Sequence, residues 1–194
     1  YKKDSKIINL PKLLDNRGNL SFFEGKNHLP FEVKRAYWIY DVPGGEARGG
    51  HAYMKNQEFI VALSGSFDVI LDNGIEKVVY TLNRSYYGLY VPKGVWREMN
   101  NFSTNSVALL VCSEPYDQDD YIREYDEYLK MIALRGAEDN PHCKNTIECI
   151  YNNSVKKFRD ILLGKYPMPD KERIQTYIEE YNKTCDILRK YIIV

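Results

Sequence analysis

A histidine and a tyrosine, His51 and Tyr53, stand two positions apart, with Glu58 a few residues further on. In an extended strand, side chains two apart point to the same face, so the imidazole and the phenol enter the same space. An imidazole changes charge near neutral pH and serves as a general base. A phenol, with an ordinary pKa of about 10, is a poor base there but a good hydrogen-bond or proton donor. Arginines suit a second task, because the guanidinium fork grips two phosphate oxygens at once. Arg17, Arg48 and Arg97 are candidates for it. Glu58 and Glu98 stand open between orienting His51 and pairing with Arg97.

Charge narrows the choice of ligand. The 194 residues carry 27 Lys and Arg against 27 Asp and Glu. There is no global basic field to bind nucleic acid, so an anionic ligand must be held by local arginines. A chain that is 44% hydrophobic and 28% charged is an ordinary soluble one, with room for one main domain and an appendage. No apolar run reaches the roughly 18 residues that span a bilayer. Tyr1-Lys2-Lys3-Asp4-Ser5-Lys6 lacks the apolar core of a signal peptide, so the expectation is a cytoplasmic chain without a membrane partner. Cys112, Cys143, Cys149 and Cys185 form no Cys-x-x-Cys pair, which favours thiols over disulfides or a zinc site.

The elements that must position these residues are short strands. Val33 to Tyr40, Phe59 to Leu63, Phe67 to Leu71, Lys77 to Thr81, Tyr86 to Val91 and Val107 to Cys112 are candidates. Asp72-Asn73-Gly74 marks a hairpin, since Asn and Gly tolerate positive φ. Many short strands at this spacing predict a sandwich or barrel. After Pro115 the pattern turns helical. Ile122, Tyr125, Leu129 and Ile132 fit one helix within the run that starts at Asp120, and Gly136 to Pro141 then interrupts. Ile147, Ile150, Val155, Phe158 and Ile161 fit a second amphipathic stretch; Ile174, Tyr177, Ile178, Tyr181 and Leu188 fit a third. Gly164 and Pro167-Met168-Pro169-Asp170 separate these two. Packing surface is the ordinary role of such stripes, and His142 beside Pro141 is expected in a solvated loop.

The spacing Gly45-x5-His51-x-Tyr53-x4-Glu58-x6-Gly65 resembles the first motif of the cupins, with tyrosine in place of a second histidine. The second motif is matched by Gly88 to Asn101, where Arg97 takes the place of a histidine after the Pro92-Lys93-Gly94 turn. Of the four usual metal-ligand positions, His51 and Glu58 remain. Transition-metal sites need three or four N, S or O donors, and a guanidinium cannot ligate. The resemblance therefore implies a metal-free all-β cupin (jelly-roll) barrel, followed by a C-terminal helical extension, and no cofactor is expected.

A narrower resemblance rests on six ordered segments: Asp15 to Leu20, Val33 to Val42, Arg48 to Ala52, Ala62 to Val69, Gly88 to Pro92 with Val95-Trp96, and Tyr116 to Ile132. These are similar to the nucleotide-sugar 3,4-ketoisomerases. The resemblance implies a cupin ketoisomerase domain over residues 1–132 and an added helical hairpin over 133–194. It implies conversion of dTDP-4-keto-6-deoxy-D-glucose to a dTDP-3-keto-6-deoxyhexose for deoxyamino-sugar and surface-polysaccharide synthesis, by a homodimer that exchanges N-terminal strands. It places His51 and Tyr37 at the sugar as catalytic residues, with Tyr53, where the family has a histidine, as a third that can donate a hydrogen bond or proton to a sugar oxygen. Arg17 and Arg48 match arginines at substrate phosphates or sugar, and either stands open to being a surface ion-pair partner instead. Arg97 stands open between a rim residue and a cation near the diphosphate or enediolate. Two other readings belong to different classes: a non-catalytic nucleotide-sugar-binding cupin whose helical tail recruits a partner, and an epimerase of the related deoxysugar group.

Overall fold

The computed structural model describes residues 4–136, 141–152, 156–165 and 169–190. The chain divides into two compact units, Tyr1–Arg123 and Glu124–Val194.

The first unit is built of antiparallel strands. One five-stranded sheet has the order β1 (Lys6–Asn9), β9 (Tyr87–Val91), β6 (Glu58–Ser64), β11 (Val107–Cys112) and β4 (Arg35–Ile39). A second has the order β12 (Tyr121–Ile122), β5 (Arg48–Tyr53), β10 (Trp96–Asn100), β7 (Phe67–Asp72) and β8 (Lys77–Leu82). β2 (Lys12–Leu13) and β3 (Leu20–Ser21) form a separate small hairpin. Alternation along the strands supplies the core. Ile60, Ala62, Leu89 and Leu110 of the first sheet join Val69, Leu71, Leu82 and Met99 of the second in a single buried cluster. The intervening residues Phe59, Val61 and Val111 face the other way and are covered by Leu10, Leu29 and Phe31. β6 is therefore apolar on both faces, and its first residue, Glu58, is a carboxylate in a fully buried position.

The Asp72-Asn73-Gly74 signal is the β7–β8 turn. Asn73 Oδ1 accepts from the backbone of Ile75 and Glu76, and Gly74 has φ +88°. Two expectations need correction. The run from Asp120 does not enter a helix directly: Tyr121 and Ile122 pair with Tyr53 and Ala52 on the free edge of β5, and α1 begins at Tyr125 (Tyr125–Gly136). The Asp120 carboxylate anchors that edge by accepting from the backbone of Lys55 and Asn56. His142 is also not in a loop, because Pro141 opens α2 (Pro141–Ile150). Proline is tolerated at a first helical position, where its missing N–H has no partner to lose.

The second unit is helical. α1 buries Tyr128, Leu129, Ile132 and Ala133 at helical spacing. The second amphipathic stretch divides into α2 and α3 (Lys156–Leu162), with Val155 outside the described residues. α4 (Lys171–Arg189) is capped by Asp170, whose carboxylate accepts from Arg173 N at 2.9 Å; Pro167 and Met168 lie outside the described residues. Inside this unit Asp126 is buried, its pKa raised by burial against the pull of Arg159 3.4 Å away. Among the described residues, no helix is long and apolar enough to cross a membrane.

Candidate active site

Four strands from the two sheets bring four polar side chains together. Tyr37 comes from β4, Glu58 from β6, His51 from β5 and Arg97 from β10. His51 and Arg97 are direct cross-strand partners, at a bulge where the register shifts between Arg97 and Glu98. Gly49 makes room for the guanidinium. Its φ is +92°, and a Cβ there would lie 2.7 Å from Arg97 Nη1, a position and a contact that only glycine accepts.

Arg97 donates to Glu58 Oε2 through Nε at 3.0 Å and Nη2 at 2.7 Å. Nη2 also lies 3.2 Å from His51 Nε2 and 3.3 Å from Tyr37 Oη. Tyr37 Oη donates to Glu58 Oε1 at 2.7 Å. Burial alone would raise the Glu58 pKa, but Arg97 and the Tyr37 hydrogen bond outweigh it and hold the carboxyl below its ordinary value. His51 is moved the other way for a base: burial first, then Arg97 and Arg123, against the opposing pull of Glu58, bring it down to about 4. Its imidazole is therefore neutral across the physiological range. Burial, reinforced by Glu58, raises Tyr37 and Tyr53 well above the ordinary phenol value.

This network forms one wall of an open pocket of about 780 Å³. Arg35, Arg48, Arg97 and Arg123 bring four guanidinium groups to it, and Tyr37, Trp38, Tyr116 and Tyr121 supply flat aromatic surface. Arg123 stacks over Tyr121 at 4.3 Å, and Arg35 lies between Tyr37 and Tyr116 at 5.5 and 5.6 Å. Such a lining suits a ligand with an anionic part and a flat or sugar-like part.

Of the residues expected from sequence, His51, Tyr37, Arg48 and Arg97 line this pocket. Tyr53 does not. Its ring packs edge-on against His51 at 4.8 Å and tilted against Tyr121 at 4.6 Å. Among the described residues its buried hydroxyl makes no hydrogen bond of ordinary length, only a looser approach to the Tyr121 side chain. Arg17 lies on the turn between β2 and β3, 89% exposed, and is bound to Asp15 at 2.8 Å. Arg35, Tyr121 and Arg123 were not singled out from sequence. Arg35 carried a usable signal, since it stands two positions before Tyr37 and shares its face. Tyr121 and Arg123 carried none, because they reach the pocket only when β12 adds to the edge of β5.

Fold and pocket together define an antiparallel β-sheet protein with a histidine-bearing, arginine-rich ligand site. Comparison with known proteins gives this class a family. The FdtA family model, described as WxcM-like, C-terminal, matches residues 3–133. The TDP-4-oxo-6-deoxy-alpha-D-glucose-3,4-oxoisomerase of Aneurinibacillus thermoaerophilus is 44% identical over 135 residues, which cover 70% of this chain and 97% of that protein. Among solved structures, the WlaRB TDP-quinovose 3,4-ketoisomerase from Campylobacter jejuni superposes with a TM-score of 0.64 at 43% identity, over 66% of this chain and 98% of its own. A 3,4-ketoisomerase from Helicobacter canadensis gives a TM-score of 0.65 at 40% identity, over 66% and 96%. The chain belongs to the FdtA-like family of nucleotide-sugar 3,4-ketoisomerases.

Proposed function

We propose that this protein converts dTDP-4-keto-6-deoxy-D-glucose to the dTDP-3-keto-6-deoxyhexose in deoxyamino-sugar biosynthesis, with His51 as the base. The observation that carries the reading is a buried, neutral imidazole in the wall of an arginine-lined pocket, beside the 44% identity to an oxoisomerase of that sugar nucleotide. The chemistry follows from the residues. His51 Nε2 takes the C3 proton, and the C–H electron pair forms a C3–C4 double bond while charge develops on O4. The O3 proton passes to O4, the C3 carbonyl forms, and the imidazolium returns its proton to C4. Donors aimed at the developing oxyanion lower this barrier, and Arg97 is the group beside His51 that can supply one, while Tyr37, whose hydrogen is engaged by Glu58, holds the network in place. Arg48, on the pocket wall, is assigned to the diphosphate or sugar. Tyr53 is assigned to holding the His51 ring.

The reaction needs no metal. His51 and Glu58 already share a fixed guanidinium that a metal ion set between them would displace, and the Cys112 thiol beside Glu58 is engaged by Arg35. We read the two sheets as a cupin jelly-roll barrel, residues 1–132 as the ketoisomerase domain and 133–194 as a helical extension, in a cytoplasmic homodimer. Exchange of N-terminal strands in that dimer agrees with an Arg17 hairpin whose Leu13, Leu14 and Leu20 are exposed.

The test is incubation with dTDP-4-keto-6-deoxyglucose in deuterated buffer containing a chelator, followed by NMR of the sugar. A 3-keto product with exchange at the carbon receiving the proton is expected. Absence of both product and exchange would refute the reaction, exchange at C5 would identify an epimerase, and activity restored only by added metal would refute the metal-free site.

A further inference from the structure

Three acceptors compete for two hydrogens at one nitrogen. Arg97 Nη2 carries two protons and has Glu58 Oε2 at 2.7 Å, His51 Nε2 at 3.2 Å and Tyr37 Oη at 3.3 Å. The charged, shortest bond claims one proton. The other is shared between the imidazole and the phenol. Tyr37 accepts because its own hydrogen is spent on Glu58 Oε1 at 2.7 Å. Arginine has no acceptor, so His51 Nε2 must face it with a lone pair. A neutral imidazole with a lone pair on Nε2 carries its proton on Nδ1.

We propose that Glu58 is a positioning residue that acts through Arg97. It fixes the guanidinium so that a shared hydrogen holds His51 in the Nδ1-protonated tautomer, with Nε2 as the basic atom under a cover that a substrate oxygen displaces. The proposal rests on the reading of His51 as the base. Glu58 cannot act on the imidazole alone, because both its oxygens are engaged by Tyr37 and Arg97. The surroundings of the ring agree. Arg97 from β10, Tyr37 from β4, Tyr53 on β5, Tyr121 on β12 and Arg123 just beyond it leave Glu58 as the one carboxylate in this group, and it is already paired. A hydrogen bond to the Gly49 backbone suits the opposite ring nitrogen. When a keto oxygen accepts the shared Nη2 hydrogen, the Nε2 lone pair is released to the C–H of the carbon next to that carbonyl. Substrate arrival and base exposure then become one event.

The test is imidazole nitrogen NMR of the full chain labelled at histidine, free of substrate, with His51 assigned by loss of its signals in His51→Asn. From about pH 5 to about pH 8 the ring should stay neutral with the proton on Nδ1. A proton on Nε2, or an imidazolium over this range, would overturn the relay. Glu58→Gln should populate both tautomers and lower kcat by about 10- to 100-fold with KM kept within about threefold, as expected when a reacting group is misplaced but binding is kept. A Glu58→Gln protein with the native tautomer and native kcat would also overturn it. Should that variant fail to fold, the wild-type spectrum decides the tautomer, and Arg97→Gln tests the same link from the other side. A wild-type chain with the Nδ1 proton but no turnover would support the relay and refute the proposed reaction.

Discussion

Arg97 and Glu58 meet in a nearly buried ion pair: Nη2 and Oε2 are 2.7 Å apart, and the two side chains are 3% and 2% exposed. Little solvent is available to either group. Removing one leaves the other as a buried, uncompensated charge, at a cost of about 3–5 kcal/mol. Arg97→Met and Glu58→Gln should each lose stability on that scale in urea denaturation. The double variant should lose clearly less than the sum of the two, because no charge is left behind. Additive losses would show that the pair does not act as a unit.

Tyr53→Phe should be quiet in rate and favourable in stability. Among the described residues the buried hydroxyl makes no hydrogen bond of ordinary length, so deleting it removes a desolvation cost and is expected to stabilise by about 1 kcal/mol. The ring contacts to His51 and Tyr121 are kept. A positioned acid would show a loss of about 10²- to 10⁴-fold in kcat on the same change, which would return Tyr53 to the chemistry.

Chemistry and binding should separate by mutation. His51→Asn should lower kcat by more than about 10²-fold while dTDP still binds, because the change removes a proton-transfer group and no phosphate contact. Arg48→Ala should weaken dTDP binding in calorimetry. Retained turnover in His51→Asn would remove the base from the mechanism.

Stability should fall on mild acidification, in part through His51. Its folded pKa of about 4 lies below the ordinary value of about 6.5. Between these values the unfolded chain binds a proton that the native one does not. The contribution is therefore fully present above about pH 6.5 and is lost as pH falls toward 4, by about 3 kcal/mol in all. The difference in unfolding free energy between wild type and His51→Gln, followed from pH 7 to pH 4, isolates this group. A flat difference would show that the imidazole titrates normally.

Much of this was legible in the sequence, for particular reasons. Val107–Cys112 is legible to the residue, because an unbroken apolar run suits a strand buried on one face and largely covered on the other. β10 was missing from the strand candidates, since Trp96-Arg97-Glu98-Met99-Asn100 has weak apolar alternation; its buried Arg97 and half-buried Glu98 sit where a strand would ordinarily carry apolar residues. That break in pattern marks the site. His51 and Arg97 follow from motif spacing and Tyr37 from the family resemblance, whereas the choice for Glu58 between His51 and Arg97 needs distances. The pocket positions of Tyr121 and Arg123 needed β12, whose pairing with β5 is set by an Asp120 side chain that no local periodicity reveals.

The ordering of strands within the two sheets governs how this protein gains activity in time. Tyr37, His51, Glu58 and Arg97 lie on four strands, and the one pair among them on neighbouring strands, His51 with Arg97, spans 46 positions of chain. Loop closure over such distances is slow, and no single hairpin contains the four residues. Secondary structure and collapse can precede the site, but the site cannot precede the nearly complete topology. Catalytic recovery after denaturation is thus a stricter clock than circular dichroism, and a chain halted before β10 joins β5 has strands and a core but no base in place.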